Sequence, residues 1–202
     1  MPRTSAQNER MRLESRARIL QHALALFAQH GYEQTTVKMI AQAAGVAQGL
    51  LYNYFASKEQ VLVAIFEQSV ADVMESFAAA EAGGTPSERV ERLLRASFGI
   101  LRRNLAFWQL SYHVRMQVHV IAGLREQLHT WTASIVERLE HYLGEAGWPQ
   151  PELEAAILFA TIDGVAQHFA LEPERYPLEA VMDMLIARYR VPPGSGPNPA
   201  QP

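Results

Sequence analysis

The chain has 202 residues, 49% of them hydrophobic and 19% charged, with a formal net charge of -3 and no cysteine. This composition excludes a disulfide framework, a thiolate metal site and a wholly disordered chain, and it suffices for one larger domain or a small domain docked on a bigger one. The start, MPRTSAQNERMRLESRARIL, lacks the apolar stretch of a secretion signal, and no run of about 18 apolar residues occurs, so a cytoplasmic protein without a membrane span is expected.

Helical periods fill nearly every segment between turn signals and no alternating stretch of strand length occurs, which predicts an all-α fold. From about Glu9 to His30, Leu20, Ala23, Leu24 and Phe27 share a helical face, and Gly31 follows as a stop. Thr35-Thr36 offers an N-cap for a short helix bearing Val37, Ile40, Ala41 and Ala44 and ending at Gly45. A third short helix spans about Ala47 to Tyr54, and Ser57-x-x-Gln60 has the form of a capping box opening a fourth from about Lys58 to Ala80. After the turn chemistry of Glu81 to Pro86, further helices are expected over about Ser87 to Asn104, Phe107 to Val118, Ile121 to Glu145, Pro151 to Leu171 and Leu178 to Arg190. The tail 191–202, rich in proline, has almost nothing to bury and reads as disordered.

Charge divides unevenly along this series. Residues 1–58 hold seven basic against three acidic side chains, a balance of +4, which leaves -7 for the remainder. A basic head on an acidic body orients toward a polyanion.

The segment IAQAAGVAQGLLYNYF has the form of two helices joined by a tight, glycine-containing turn, a helix-turn-helix. Ala41 and Ala44 are small where two helices approach, Gly45 permits a left-handed backbone, and Val46 is the apolar plug. On the next helix Ala47, Leu51 and Phe55 form one face; Gln48, Gly49, Tyr52 and Asn53 form another. That second face combines an amide able to read adenine edges, a glycine that admits close approach and a hydroxyl suited to phosphate. Lys38 and Lys58, the two lysines of the chain, flank it near helix starts, where Thr36 and Ser57 also present backbone donors.

The stretch GYEQTTVKMIAQAAGVAQGLLYNYFASKEQVL closely resembles the N-terminal signature of the tetracycline-repressor (TetR-like) family, ungapped from about Arg16 to Phe66. The resemblance implies base or groove contacts from Lys38, Gln48, Gly49 and Asn53, and phosphate contacts from Thr36, Tyr52, Tyr54 and Lys58. Position 47 often carries serine or threonine in that family, and Ala47 removes one hydroxyl contact. It also implies a homodimer in which the last two long helices pack against their symmetry mates; Leu158, Ile162, Val165, Phe169, Val181, Met182 and Leu185 suit such a bundle, some of them facing the subunit's own core instead. Two recognition helices about 34–36 Å apart then reach successive major grooves of a palindromic operator in double-stranded DNA.

Beyond about residue 80 the resemblance is architectural, and the body is read on its own residues. Phe107, Trp108, Tyr112, His113, Arg115 and Met116 mix large rings with polar groups, and Trp131, Phe159 and His168 supply similar material, as a small-molecule pocket requires. Arg115 is the candidate anchor for an anion. Asp163, in an otherwise apolar helix, needs a partner, either an arginine or histidine across a subunit interface or the ligand.

The expected organisation is a helix-turn-helix head at 1–60, a helical ligand-binding and dimerisation body at 61–190 joined through the fourth helix, and the tail at 191–202. The expected function is that of a ligand-responsive transcriptional regulator, a repressor released from DNA when an apolar or aromatic effector changes the separation of the heads; an interaction module without specific DNA binding is the alternative. No enzyme is expected, since G-x-S-x-G, H-E-x-x-H, phosphate-loop and dinucleotide patterns are all absent, and the reading assigns no metal or cofactor.

Overall fold

A computed structural model describes residues 4–81, 83–115, 117–190 and 192; the expected disordered tail, apart from Pro192, lies outside the described residues. All regular structure among the described residues is helical: α1 (Ser5–His30), α2 (Val37–Ala43), α3 (Gln48–Tyr54), α4 (Lys58–Ala80), α5 (Pro86–Arg103), α6 (Leu105–Arg115), α7 (Val118–Glu145), α8 (Pro151–Leu171) and α9 (Leu178–Tyr189). The chain forms two compact units, one of Met1–Ser69 with Ala106–Ala122, the other of Val70–Leu105 with Gly123–Pro202. Division by compactness thus differs from division by motif at residue 60, because the first unit also takes the start of α4 and most of α6.

In the first unit α1 buries Ile19, Leu20, Ala23 and Phe27, α2 buries Ile40 and Ala41, and α3 buries Leu51. Ala44, Phe55, Val61, Leu62, Ile65 and Phe66 complete the core of the head. Full burial of a leucine, isoleucine or phenylalanine contributes about 1.5–3 kcal/mol, so this cluster outweighs every polar contact in the head. Phe66 meets Phe107 of α6 edge to face at 5.2 Å. Helix α1 starts at Ser5, a turn before the expected Glu9, because Thr4 and Gln7 form a reciprocal capping box ahead of the apolar repeat.

In the second unit α5 packs on α9. The buried set includes Leu93, Leu94 and Phe98 of α5, Leu139 and Leu143 of α7, Leu158 and Ala166 of α8, and Ile186 and Tyr189 of α9. Thr85 caps α5 in a reciprocal box with Glu88, and Pro86 occupies the first turn where its missing N–H costs nothing. Helix α7 stops at Gly147, whose φ of 83° allows Trp148 N–H to bond back to Leu143, and Trp148 then packs on Tyr189 at 5.0 Å.

Candidate nucleic-acid interface

The turn between α2 and α3 closes as a Schellman motif. Gly45 has φ 64°, its N–H donates to the Gln42 carbonyl at 3.1 Å, and the N–H of Val46 donates to the Ala41 carbonyl at 3.0 Å. Val46, expected as a plug, is half-buried. The expected apolar face of α3 needs one correction: Leu51 and Phe55 are buried, but Ala47 is exposed, because with φ -65° and ψ 142° it is the N-cap and lies outside the helical turn.

The polar face stands as a solvated surface. Gln48, Gly49, Tyr52 and Asn53 are all exposed, and Tyr52 keeps 48% of its accessible area. A Cβ added at Gly49 would meet nothing within 4 Å, so the fold itself does not require glycine there. Glycine inside a helix costs about 1 kcal/mol relative to alanine. Packing within the chain therefore does not account for glycine at this position.

Around α3, Thr36 caps α2 by accepting from the N–H of Met39 at 3.2 Å, and Lys38 is exposed in the first turn of α2. Tyr54 is half-buried beside Phe55. Lys58 is more constrained than its sequence position suggests: Nζ donates to the Tyr32 carbonyl at 2.8 Å and the Glu33 carbonyl at 3.4 Å, and lies 4.2 Å from the centre of the Tyr32 ring. It thereby fixes the start of α4 to the loop after α1. Burial, and then the neighbouring Glu59 carboxylate, push the Tyr32 hydroxyl well above the usual tyrosine range.

One anchoring device is not foreseen from the sequence, and a second differs from its expected form in one bond. Thr35, fully buried, lies with its hydroxyl 2.8 Å from the Gly31 carbonyl and 3.2 Å from that of Leu26, and so holds the end of α1 against the start of α2. The pair Thr35-Thr36 reads from sequence as a cap, without telling which threonine turns inward. At α4, the Ser57 hydroxyl accepts from Gln60 N–H at 3.3 Å, but the Gln60 side-chain Oε1 accepts from Ala56 N–H at 2.8 Å, one residue upstream of the box expected.

The residues expected to line a ligand pocket are distributed over both units. Phe107, Trp108, Tyr112, His113 and Arg115 belong to the first; Trp131, Phe159, Asp163 and His168 belong to the second; Met116 lies outside the described residues. Phe107 is buried, Trp108 and Tyr112 are half-buried, and His113 and Arg115 are exposed. The indole N–H of Trp108 and the side-chain carbonyl of Gln117 are buried without a hydrogen-bond partner. Asp163 accepts from Gln167 on its own helix at 2.9 Å, and the exposed His168 stacks on Tyr176 with ring centres 6.2 Å apart. Within the second unit a surface cleft of about 590 Å³ runs between α4 and α7, lined by Met74, Glu81, Ser134, Glu137, Arg138, His141 and Tyr142, none of them expected. There Glu81 accepts from Tyr142 at 2.7 Å and Arg138 at 3.1 Å; burial, with that hydrogen bond, pushes the Tyr142 hydroxyl up to about 12.

Residues 19–65 match the model of bacterial regulatory proteins of the tetR family, and residues 86–189 match that of the BetI-type transcriptional repressor C-terminal region. The fatty acid metabolism regulator protein of Bacillus subtilis is 25% identical over 177 residues, 83% of this chain and 90% of that protein. The solved Bacillus subtilis FadR in complex with stearoyl-CoA superposes with a TM-score of 0.74 at 21% identity, covering 90% of this chain and 99% of that one. The SmeT–triclosan complex superposes with a TM-score of 0.72 at 26% identity, covering 94% and 100%.

Proposed function

Because the chain belongs to the tetR family of bacterial regulatory proteins, with a BetI-type C-terminal region, we propose that it is a repressor that leaves a palindromic operator when a small apolar or aromatic effector binds. The observation that carries the DNA-binding part is the solvated face of Gln48, Gly49, Tyr52 and Asn53 above a fully buried Leu51. Gln48 and Asn53 read base edges, Lys38 reaches the groove, Gly49 gives clearance, and Tyr52, Tyr54 and Thr36 hold phosphates. Lys58 contributes through its grip on the Tyr32 loop and through its charge. DNA binding and the absence, among the described residues, of a helix long and apolar enough to cross a membrane support a cytoplasmic site of action.

We propose one stripe of α8 as the dimer contact. Leu158 and Val165, with Met182 and Leu185 of α9, are buried within the chain, while Ile162, Phe169 and Val181 are half-buried. Leu153, Ala156, Ile157, Ala160 and Leu171 remain exposed at spacings of three, four and seven, with half-buried Gly164 in line. A Cβ at Gly164 would meet nothing within 4 Å, so a second helix can approach closely there. Leu153 at 55% and Ile157 at 49% exposure supply the apolar area that a partner copy would cover.

The effector reading is supported by the ring-rich α6 and its unpartnered Trp108 N–H and Gln117 carbonyl, which suit an apolar ligand bearing a polar end. Arg115 is proposed to face an anionic group on it, with Tyr112 and His113 as further candidates in the same unit; Trp131, Phe159, Asp163 and His168 are candidates within the second unit, considered by itself. The ligands in the two solved relatives, stearoyl-CoA and triclosan, are the first compounds to try.

The test is selection of duplexes from a random pool by the full chain, followed by mobility shift with salt titration. Gln48→Ala is expected to change the preferred sequence and Tyr52→Phe to weaken all sequences about equally. Uniform loss with Gln48→Ala would remove its base-reading role, and failure to select any sequence would overturn the regulator reading. Stearoyl-CoA and triclosan are then titrated for release.

A further inference from the structure

Every residue from Thr4 to Glu14 is exposed, so the first turns of α1 pack on nothing. A helix in a folded protein is ordinarily held by burying one face, since isolated short helices are marginal in water. Here the support is the Thr4/Gln7 capping box and two surface ion pairs, Arg10–Glu14 at 2.9 Å and Arg12–Glu9 at 3.9 Å. Packing within the chain gives this segment no role.

Its alignment with the head suggests one. Leu20, Ala23 and Phe27 form the buried stripe of α1, and the same stripe continues at helical spacing through Arg16 and Arg12. The Arg16 guanidinium lies 5.4 Å from the ring centre of Phe55, the residue that ends α3. The stripe therefore passes the end of the helix that carries Gln48 and Tyr52, and Arg12 stands one turn beyond the last point where the head covers α1. Within residues 5–18 four arginines face two glutamates.

We propose that the solvated start of α1 is a second DNA-contacting element, in which Arg12 binds a phosphate of the duplex flanking the segment read by α3. The inference rests on the DNA-binding reading above. Both ion pairs are exposed at both ends, and such pairs hold weakly. A phosphate can take the Arg12 guanidinium in a two-pronged hydrogen bond, with release of counterions that a glutamate does not provide. Phosphates are uniform along DNA, so this contact adds affinity and lengthens the protected segment without changing sequence preference.

The experiment uses the full chain, a long duplex selected by the unaltered protein, and the same duplex trimmed to its selected core. Arg12→Gln is expected to weaken binding to the long duplex and to reduce the slope of log K against log salt by about 1, since each phosphate contact accounts for about 0.9. The trimmed duplex should bind both proteins alike. Glu9→Gln, which frees Arg12, is expected to tighten binding to the long duplex several-fold; circular dichroism checks that each variant keeps its helix. Unchanged affinity and slope on the long duplex in both variants would overturn the proposal while leaving the α3 reading intact. Failure to select any duplex would remove that reading, and this inference with it.

Discussion

Thr35 and Thr36 are adjacent and chemically identical, yet one is fully buried with its hydroxyl on the carbonyls of Gly31 and Leu26 and the other is exposed as the cap of α2. Replacing Thr35 with valine keeps the volume and leaves those carbonyls without their donor. A loss of about 1–3 kcal/mol is expected, measured by urea denaturation. Gly49 makes the opposite case. With open space where its Cβ would be, Gly49→Ala is expected to raise stability by about 0.4–1 kcal/mol while weakening operator binding. A thermal melt and a mobility shift on the same preparation check both directions, and an alanine variant that binds DNA as well as the parent would remove the clearance role.

At the scale of elements, legibility followed the apolar period. Helices α4 and α8 have the bounds expected from sequence because turn residues flank a continuous pattern. The start of α1 was missed by a turn because solvated turns leave no apolar signature, although T-x-x-Q stands in the sequence as a capping signal. The break between α6 and α7 lies before the expected one because AFWQLSYHVRMQVHV contains neither glycine nor proline to mark it. The cleft between α4 and α7 was illegible for a different reason: Glu81, Arg138 and Tyr142 are ordinary surface residues until two helices bring them together. That tie gives a pH prediction. The Tyr142 hydroxyl is raised to about 12 in the folded chain, above the ordinary 10.0. Its contribution is complete below about pH 10 and is lost as pH rises toward 12, since the unfolded chain ionises first. Tyr142→Phe should lack that alkaline fall in denaturation midpoint; an identical fall in the variant would assign it to other groups.

For the whole molecule, the helix-turn-helix was readable because its small residues and glycine sit at fixed offsets, whereas the dimer face was not, because α8 is apolar on nearly every side and sequence cannot tell which side the chain covers itself. Burial shows which side of α8 the chain leaves open, the stripe through Ile157, and the proposed contact lies there. Ile157→Glu places a charge at its centre and is expected to yield monomers in sedimentation, with loss of tight binding to a palindromic duplex, because a single head spans only a half-site. A variant that stays dimeric would move the contact elsewhere. Helix α3, only seven residues long, divides its side chains cleanly: Leu51 is fully buried, while Gln48, Tyr52 and Asn53 contribute nothing to the core. On the proposed reading of this face, stability and address are held by different letters of the same short word. After gene duplication, one copy can drift to a new promoter through substitutions that folding does not penalise, and the body need not change for the new circuit to inherit the old signal.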